Sequence, residues 1–416
     1  MELQRELIDD CVHCGFCLPH CPTYVSWSEE MDSPRGRIDL MRGIREGKTP
    51  LTPSVVRHFD QCLGCMGCMT ACPSGVKYDV LIEETRAQIE KDYPRGFFDR
   101  AFRGLLFAVL PYPRRLKAMA ALLFIGTWTG LRFLARLLLP QRFRAADELA
   151  PPVSLHTLFA TLPEHVAAQG ERRATATLVA GCVQKVFFPG VNEATLRVLS
   201  AEGCEVHVPR KQGCCGALSM HAGREHESLD LARELIADLE RSPCDVIIVN
   251  AAGCGSHLKD YGRLFAKDPA WAERARAFSL KVRDINEYLA ALPPRAPRHP
   301  LQETVAMHDP CHLVHAQKIR AQPRALLAGI PGLQQRELND GDQCCGSAGV
   351  YNLLQPKSAD QIGARKAAAV QAAGAQLLCS ANPGCTLQIR KHLGAQLRAA
   401  HPVEILDASI RGGKLP

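Results

Sequence analysis

Sixteen of the nineteen cysteines in this 416-residue chain fall into four groups whose spacing can do chemistry. The first two are Cys11-x2-Cys14-x2-Cys17-x3-Cys21-Pro22 and Cys62-x2-Cys65-x2-Cys68-x3-Cys72-Pro73. Three thiolates on one tight loop cap three irons of a [4Fe–4S] cube, and the fourth leaves that loop to ligate the other cluster. Crossed ligation assigns Cys11, Cys14, Cys17 and Cys72 to one metal site, and Cys62, Cys65, Cys68 and Cys21 to the other. Structural zinc also uses C-x2-C pairs but closes on four tetrahedral ligands. Two complete runs specify cluster ligation far more narrowly. The proline after each fourth cysteine ends the ligand loop and removes a backbone donor.

The other two groups repeat each other. Cys182, Cys214-Cys215-Gly216 and Cys254 form one set; Cys311, Cys344-Cys345-Gly346 and Cys385 form the second. Between the first cysteine and the pair lie 31 residues in one copy and 32 in the other, and between the pair and the last cysteine 38 and 39. Agreement within one residue over such a length indicates duplication. Adjacent thiols make a strained disulfide ring but suit a metal whose ligands come from one sharp turn. Four thiolates per set are the usual number for a further cube. The alternative is a reduced, buried remnant packed between the repeats. Cys204, Cys244 and Cys379 lie outside the pattern and read as small buried hydrophobes. His308, His312 and His315 surround Cys311. Histidine serves as ligand and proton carrier, but a core or surface role is the default reading for these three.

The elements that must position these thiols give a multidomain α+β fold. Residues 1–94 read as a helical domain holding two clusters. Ser33 to Arg37 starts a helix with Ile38, Leu40, Met41 and Ile44 as its apolar stripe, and 79–92 is a second helical pattern. Arg35 and Arg37 either offset cluster charge or form a solvated helix end. Residues 95–172 form a connector and linker. Over 95–144 there are ten Lys or Arg against one acid, Asp99, and fourteen uncharged residues run from Ala118 to Leu131. That run is short of the ~20 residues needed to span a bilayer. Apolar blocks flanked by Arg114, Arg115, Arg132 and Arg136 suggest basic amphipathic helices that lie in a membrane interface or dock on a partner. Residues 173–300 and 301–416 alternate strands and helices, as two α/β units with parallel sheet would, and put their cysteines at strand ends, where such folds place ligands.

Composition narrows the class. The chain is 46% hydrophobic with a net charge of +7 and shows no nucleic-acid-binding motif. Residues 1–10 are charged and lack an apolar signal region, so a cytoplasmic location is expected. There, clustered cysteines mean metal or redox chemistry rather than disulfides. No G-x-G-x-x-G follows a strand, so no nucleotide site is expected on this chain.

Two cluster runs followed by two cysteine-rich CCG repeats resemble the glycolate oxidase (glycolate dehydrogenase) iron–sulfur subunit family. Lactate-oxidation and anaerobic glycerol-3-phosphate dehydrogenase iron–sulfur subunits and heterodisulfide reductase are its relatives. The first domain resembles the α-helical ferredoxin of respiratory dehydrogenases, and Leu-Pro-Tyr-Pro-Arg-Arg at 110–115 is similar to the glycolate subunit. The resemblance covers nearly the whole chain. It implies two [4Fe–4S] clusters on the eight N-terminal cysteines, FAD and the glycolate site on partner subunits, and electron transfer to an acceptor such as quinone. A peripheral position on the cytoplasmic face of the inner membrane would fit. In heterodisulfide reductase the repeat ends in C-x2-C. Here Ala251 and Asn382 replace the first of those thiols, which counts against a five-thiolate cluster and disulfide reduction. The competing class is a metal-stapled scaffold for partner subunits.

Overall fold

The computed structural model describes residues 5–242, 244–394 and 397–415. Ser33 Oγ accepts a hydrogen bond from the Gly36 amide at 3.0 Å and caps helix Pro34–Arg45, which turns Ile38 and Met41 inward. Thr52 caps helix Pro53–Gln61 in the same way, through the Val55 amide. With helix Tyr78–Asp92 these enclose a core of Ile8, Phe59, Leu81 and Ile89 against which the cysteine loops pack. An N-cap of this kind contributes about 1 kcal/mol, so the loops hang from helix ends that are fixed locally.

The connector folds as helices Phe97–Val109, Pro113–Trp128, Leu131–Leu138 and Gln141–Leu149. Its first turns are tied to the cluster domain: Arg95 pairs with Asp60 at 2.9 Å, and Arg103 reaches the same carboxylate at 3.7 Å. Arg132 and Arg136 both pair with Asp147 of the last of these helices. Among the described residues no single helix is long and apolar enough to cross a membrane. Leu122, Ile125, Trp128, Leu131, Phe133, Leu137 and Leu138 nevertheless stand exposed.

The remainder is two sheets. Strands β1 (His165–Val166), β2 (Ala174–Val179), β3 (Cys204–His207), β4 (Val246–Val249) and β5 (Val282–Asp284) form the first, in the order β1-β3-β2-β4-β5. Strands β6 (Thr304–His308), β7 (Gln334–Glu337), β8 (Leu377–Ser380) and β9 (Arg398–Ala400) form the second, in the order β7-β6-β8-β9. All pairings are parallel except β1 with β3. The shared order, β3-β2-β4-β5 against β7-β6-β8-β9, is the duplication in three dimensions. Strand β1 lies in the stretch read as linker and adds an antiparallel edge to the first copy.

One continuous core joins the copies, running from Leu178 and Ile248 to Val305 and Ile405. The packing is reciprocal. Helix Pro189–Ala201 of the first copy meets Pro402–Arg411 of the second, and Ile285–Ala290 meets Ala321–Ala328. Each pair joins the helix after one copy's first strand to the helix after the other copy's last strand, the self-complementary contact of a two-fold axis. Arg197 reaches across to the buried Asp407 at 2.8 Å. Cys204 and Cys379 are buried in this core, and Cys244 packs partly buried against the first copy's own core.

Candidate metal centres

Both N-terminal loops adopt the same backbone path. The second residue after the first cysteine is left-handed in each, His13 (φ 55°) and Gly64 (φ 62°), and so is the fourth, Gly15 (φ 86°) and Met66 (φ 62°). Alternating left-handed residues turn successive N–H groups to one side, a concavity that binds anions. A non-glycine residue held left-handed costs of order 1–3 kcal/mol, so His13 and Met66 mark a conformation kept for what it surrounds. The Gly64 amide donates to Cys62 Sγ at 3.3 Å. Burial raises the Cys11 thiol, with Cys72 and Cys14 among the neighbours that raise it further. Burial also raises Cys65 and Cys68, and each feels Cys21 and Cys62 as well. The fold thus brings Cys72 to Cys11, and Cys21 to the loop of Cys62, Cys65 and Cys68. Burial pushes Cys17 up to about 11, although a backbone amide at Arg35 opposes it.

Arg37 is fully buried beside the second of these groups. Its Nε donates to the His58 carbonyl at 2.6 Å and Nη2 to Asp32 Oδ1 at 3.3 Å, while both terminal nitrogens reach Thr23 Oγ1 at 3.3 Å. His58 Nδ1 closes the network on Asp32 at 2.9 Å. Burial alone would raise the Cys62 thiol. The Arg37 and Arg86 guanidiniums outweigh it, with help from the Gly64 amide and the Tyr78 hydroxyl, and hold it below its ordinary value. Burial rules out the solvated helix end for Arg37 and sets its charge beside the Cys62 thiol. Asp32, His58, Tyr78 and Arg86 carried no sequence signal, because their roles come from packing.

The repeat thiols form the same chain of contacts twice. Cys182 Sγ is 3.4 Å from Cys214 Sγ, and Cys215 then meets Cys254; Cys311 Sγ is 4.0 Å from Cys344 Sγ, and Cys345 then meets Cys385. Gly216 (φ 86°) and Gly346 (φ 87°) are left-handed, and a Cβ on either would lie 2.7 Å from a carbonyl oxygen of the second helix downstream, Ser228 or Ala359. Only glycine fits there, which explains the G in CCG. Asn382, where a fifth thiol would sit, donates from Nδ2 to Cys385 Sγ at 3.3 Å.

The copies differ in what surrounds the thiols. Val179 ends β2 and pairs with Val249 of β4; His308 ends β6 and pairs with Ser380 of β8. Counting from the matched glycine contacts, buried Leu235 corresponds to Lys366, whose fully buried Nζ donates to Asp340 at 2.8 Å. After Cys182 comes α-helix Val183–Phe187; after Cys311 the turn is π-helical over His312–Ala316, a form often found at functional sites. Burial pushes the His308 imidazole down to about 3, with Lys366 acting in the same direction, so it is neutral.

The cluster domain docks its second loop on the second copy. Cys311 lies near enough to Cys65 to raise its thiol, and Cys65 in turn raises Cys344, beyond what burial does. Thr70 Oγ1 is 3.0 Å from His315 Nδ1, and Gln343 Nε2 donates to the Pro19 carbonyl at 2.9 Å. On the first copy, Arg86 Nη1 donates to the His221 carbonyl at 2.9 Å, and Glu83 pairs with Arg263 at 2.8 Å. A cavity of ≈ 910 Å³ lies between the copies and the connector. All eight repeat thiols line it, together with His221, His312 and Asn382, facing a wall that includes Leu106, Val109 and Leu122.

These centres can be set against known proteins. A 4Fe-4S dicluster domain matches residues 7–76, a cysteine-rich domain matches 176–259 and 305–390, and the linker region of the glycolate oxidase iron-sulfur subunit matches 98–150. The chain is 36% identical to the probable glycolate oxidase iron-sulfur subunit of Bacillus subtilis, covering 97% of this chain and 94% of that protein. It is 32% identical to the glycolate oxidase iron-sulfur subunit of Escherichia coli, covering 96% and 93%. The fold resembles the crystal structure of a hypothetical protein from Helicobacter pylori with a TM-score of 0.58 at 9% identity, covering 92% of this chain and 68% of that one.

Proposed function

The chain belongs to the glycolate oxidase iron–sulfur subunit family, and from that premise we propose that it carries electrons from an FAD subunit that oxidises glycolate to glyoxylate to a membrane quinone. The carrying observation is an unbroken line of thiols from an exposed loop to the interior. Cys14 is exposed at one end, and Cys65 meets Cys311 and Cys344 at the other. Bound iron–sulfur clusters supply the one-electron steps required between a two-electron flavin and a two-electron quinone.

The residues take separate roles in this reading. Cys11, Cys14, Cys17 and Cys72 hold one [4Fe–4S] cluster, and Cys62, Cys65, Cys68 and Cys21 the other. Val12 and Phe16, 68% and 64% exposed on the first loop, give the flavin subunit an apolar edge to dock on. Arg37 offsets negative charge at the second site. Cys311, Cys344, Cys345 and Cys385 hold a third cluster, and the adjoining apolar cavity receives the quinone ring. A volume of ≈ 910 Å³ is at the upper end of the ~300–1,000 Å³ usual for small-molecule sites. The exposed apolar side chains of helices Pro113–Trp128 and Leu131–Leu138 rest in the cytoplasmic leaflet beside it.

Anaerobic mixing with the flavin subunits and glycolate tests the reading. Bleaching of the visible cluster absorbance is expected, and its absence with all subunits loaded overturns it. Flotation with anionic liposomes tests the membrane contact. Replacing Leu122, Ile125 and Trp128 together by serine should abolish flotation and leave glycolate-driven bleaching intact; unchanged flotation removes the membrane proposal alone.

A further inference from the structure

We infer that His308 is a metal ligand, giving the second copy a mixed centre of thiolates and one imidazole that the first copy cannot form. This rests on the proposal that the second set of thiols binds metal.

The strand sets up the geometry. Side chains alternate along a strand, so Val305 and Met307 of β6 face the core shared by the copies while Ala306 and His308 face the other side. Cys345, Cys385 and Leu378 lie on that other side. A ring nitrogen of His308 and the sulfurs of Cys345 and Cys385 all lie within 4.8 Å of one another, and all three residues are buried. Donors that share one metal at bond lengths of ~2.0–2.3 Å sit roughly 3.5–4 Å apart. The three are therefore near enough to bind one metal centre, on a single ion or on neighbouring irons of one cluster.

A second observation points to something bound there. His308 is 4% exposed, yet neither ring nitrogen has a hydrogen-bond partner among the described residues. Leaving such a group unsatisfied costs about 1–3 kcal/mol. Its strand neighbour Ser380 also has an unpartnered buried hydroxyl. Two orphaned polar groups at one register position, beside two thiols, are explained together by a bound metal. The first copy has Val179 and Val249 at these positions, packed among Cys182, Cys214 and Cys215, with no polar atom to satisfy.

An imidazole in place of the missing fifth thiolate also makes chemical sense. It brings one negative charge fewer than a thiolate, and histidine ligation raises the potential of an iron–sulfur centre. The second copy would then attract electrons from all-thiolate clusters nearby.

The test uses the full chain, purified anaerobically from cells fed 15N-histidine. Iron and zinc are counted, and the reduced protein is examined by pulsed EPR. About twelve irons are expected, three centres of four, with one of them strongly coupled to a histidine nitrogen. His308→Cys should keep the iron, lose that coupling and lower the midpoint potential of that centre alone. His308→Val should drop iron toward about eight. Twelve irons without nitrogen coupling, or coupling that survives His308→Cys, overturns the inference and leaves the relay standing. About eight irons and no zinc overturns it and the third cluster together. Zinc bound through nitrogen and sulfur, with the nitrogen lost in His308→Cys, upholds the ligand and overturns the relay role of this copy.

Discussion

Apart from the edge strand β1 of the first, the two cysteine-rich copies share one fold and differ where chemistry would occur. Strand order, the left-handed CCG glycine, the chain of four sulfurs and the reciprocal helix packing are common to both. Around the sulfurs, the first copy has Val179, Val249 and Leu235, and the second has His308, Ser380 and Lys366. Only the second touches the cluster domain through Cys65. A duplicated scaffold needs two copies to bury one core, but an electron path needs just one of them. The first copy keeps its apolar packing because it supports the fold. In the relay proposed above, the second accepts buried polar groups, each costly unless paired, because they serve a centre.

The comparison breaks first if the copies respond alike to loss of a thiol. Cys311→Ser or Cys345→Ser should lower glycolate-driven quinone reduction by ~100-fold or more, beyond the 10–100-fold typical of residues that merely support a metal site. Cys182→Ser or Cys215→Ser should cost less than ~10-fold on the same scale. Steady-state assays of the assembled complex measure both, and equal losses would make the two sets equivalent.

The buried cation is the next difference to test. Lys366→Leu installs the first copy's residue and leaves Asp340 without its partner. Removing one member of a buried pair costs about 3–5 kcal/mol, less here because Asp340 is partly exposed, so urea unfolding should shift clearly. EPR-monitored titration should find the potential of the second copy's centre lowered. An unchanged potential would reduce Lys366 to a structural role.

Transplanting the polar pair probes the first copy. Val179→His with Val249→Ser buries two groups beside Cys215 and Cys254. If no metal joins them, the cost is about 1–3 kcal/mol, or a fall in Tm of a few times ~2–4 °C. Recovery of that loss with added iron and sulfide would show that the two residues are enough to convert one copy into the other.

The smallest effect lies at matching helix starts. Asp284 with Glu287 and His401 with Glu404 form equivalent capping boxes. Glu287 has Lys259 at 2.6 Å. Burial pushes Glu404 up to about 7 from 4.5. A carboxyl raised in this way contributes its stability below its unfolded pKa and loses it as pH rises through the folded one. Tm should therefore fall between pH 4.5 and about 7 by ~2–4 °C for each kcal/mol lost. Glu404→Gln should flatten that slope. A slope unaltered by Glu404→Gln places the titration elsewhere.

Much of this was legible in the sequence because metal-binding loops are local. Seven residues from Cys11 to Cys17 carry their ligand spacing in the chain itself, and the second run repeats it, so the cluster domain and its eight thiols needed no tertiary information. Regular intervals between CCG pairs likewise gave the duplication, and strand alternation gave two α/β units. The helix expected to start at Ser33–Arg37 begins at Pro34, and the one expected at 79–92 runs over Tyr78–Asp92. Errors of that size arise because end residues are fixed by caps and neighbours.

Tertiary structure decided which groups meet. Nothing in the spacing placed Cys65 beside Cys311, buried Arg37 against Cys62, or brought His308 to Cys345 and Cys385. His308 reads in sequence as one of three histidines around Cys311, and the residue pattern favoured none of them. Its position at the end of β6, on the face opposite the shared core, depends on how the strand is paired and which side the helices cover. Spacing along a chain fixes which donors can share a loop; the stacking of sheets and helices fixes which loops share a metal, and that depends on contacts far apart in sequence.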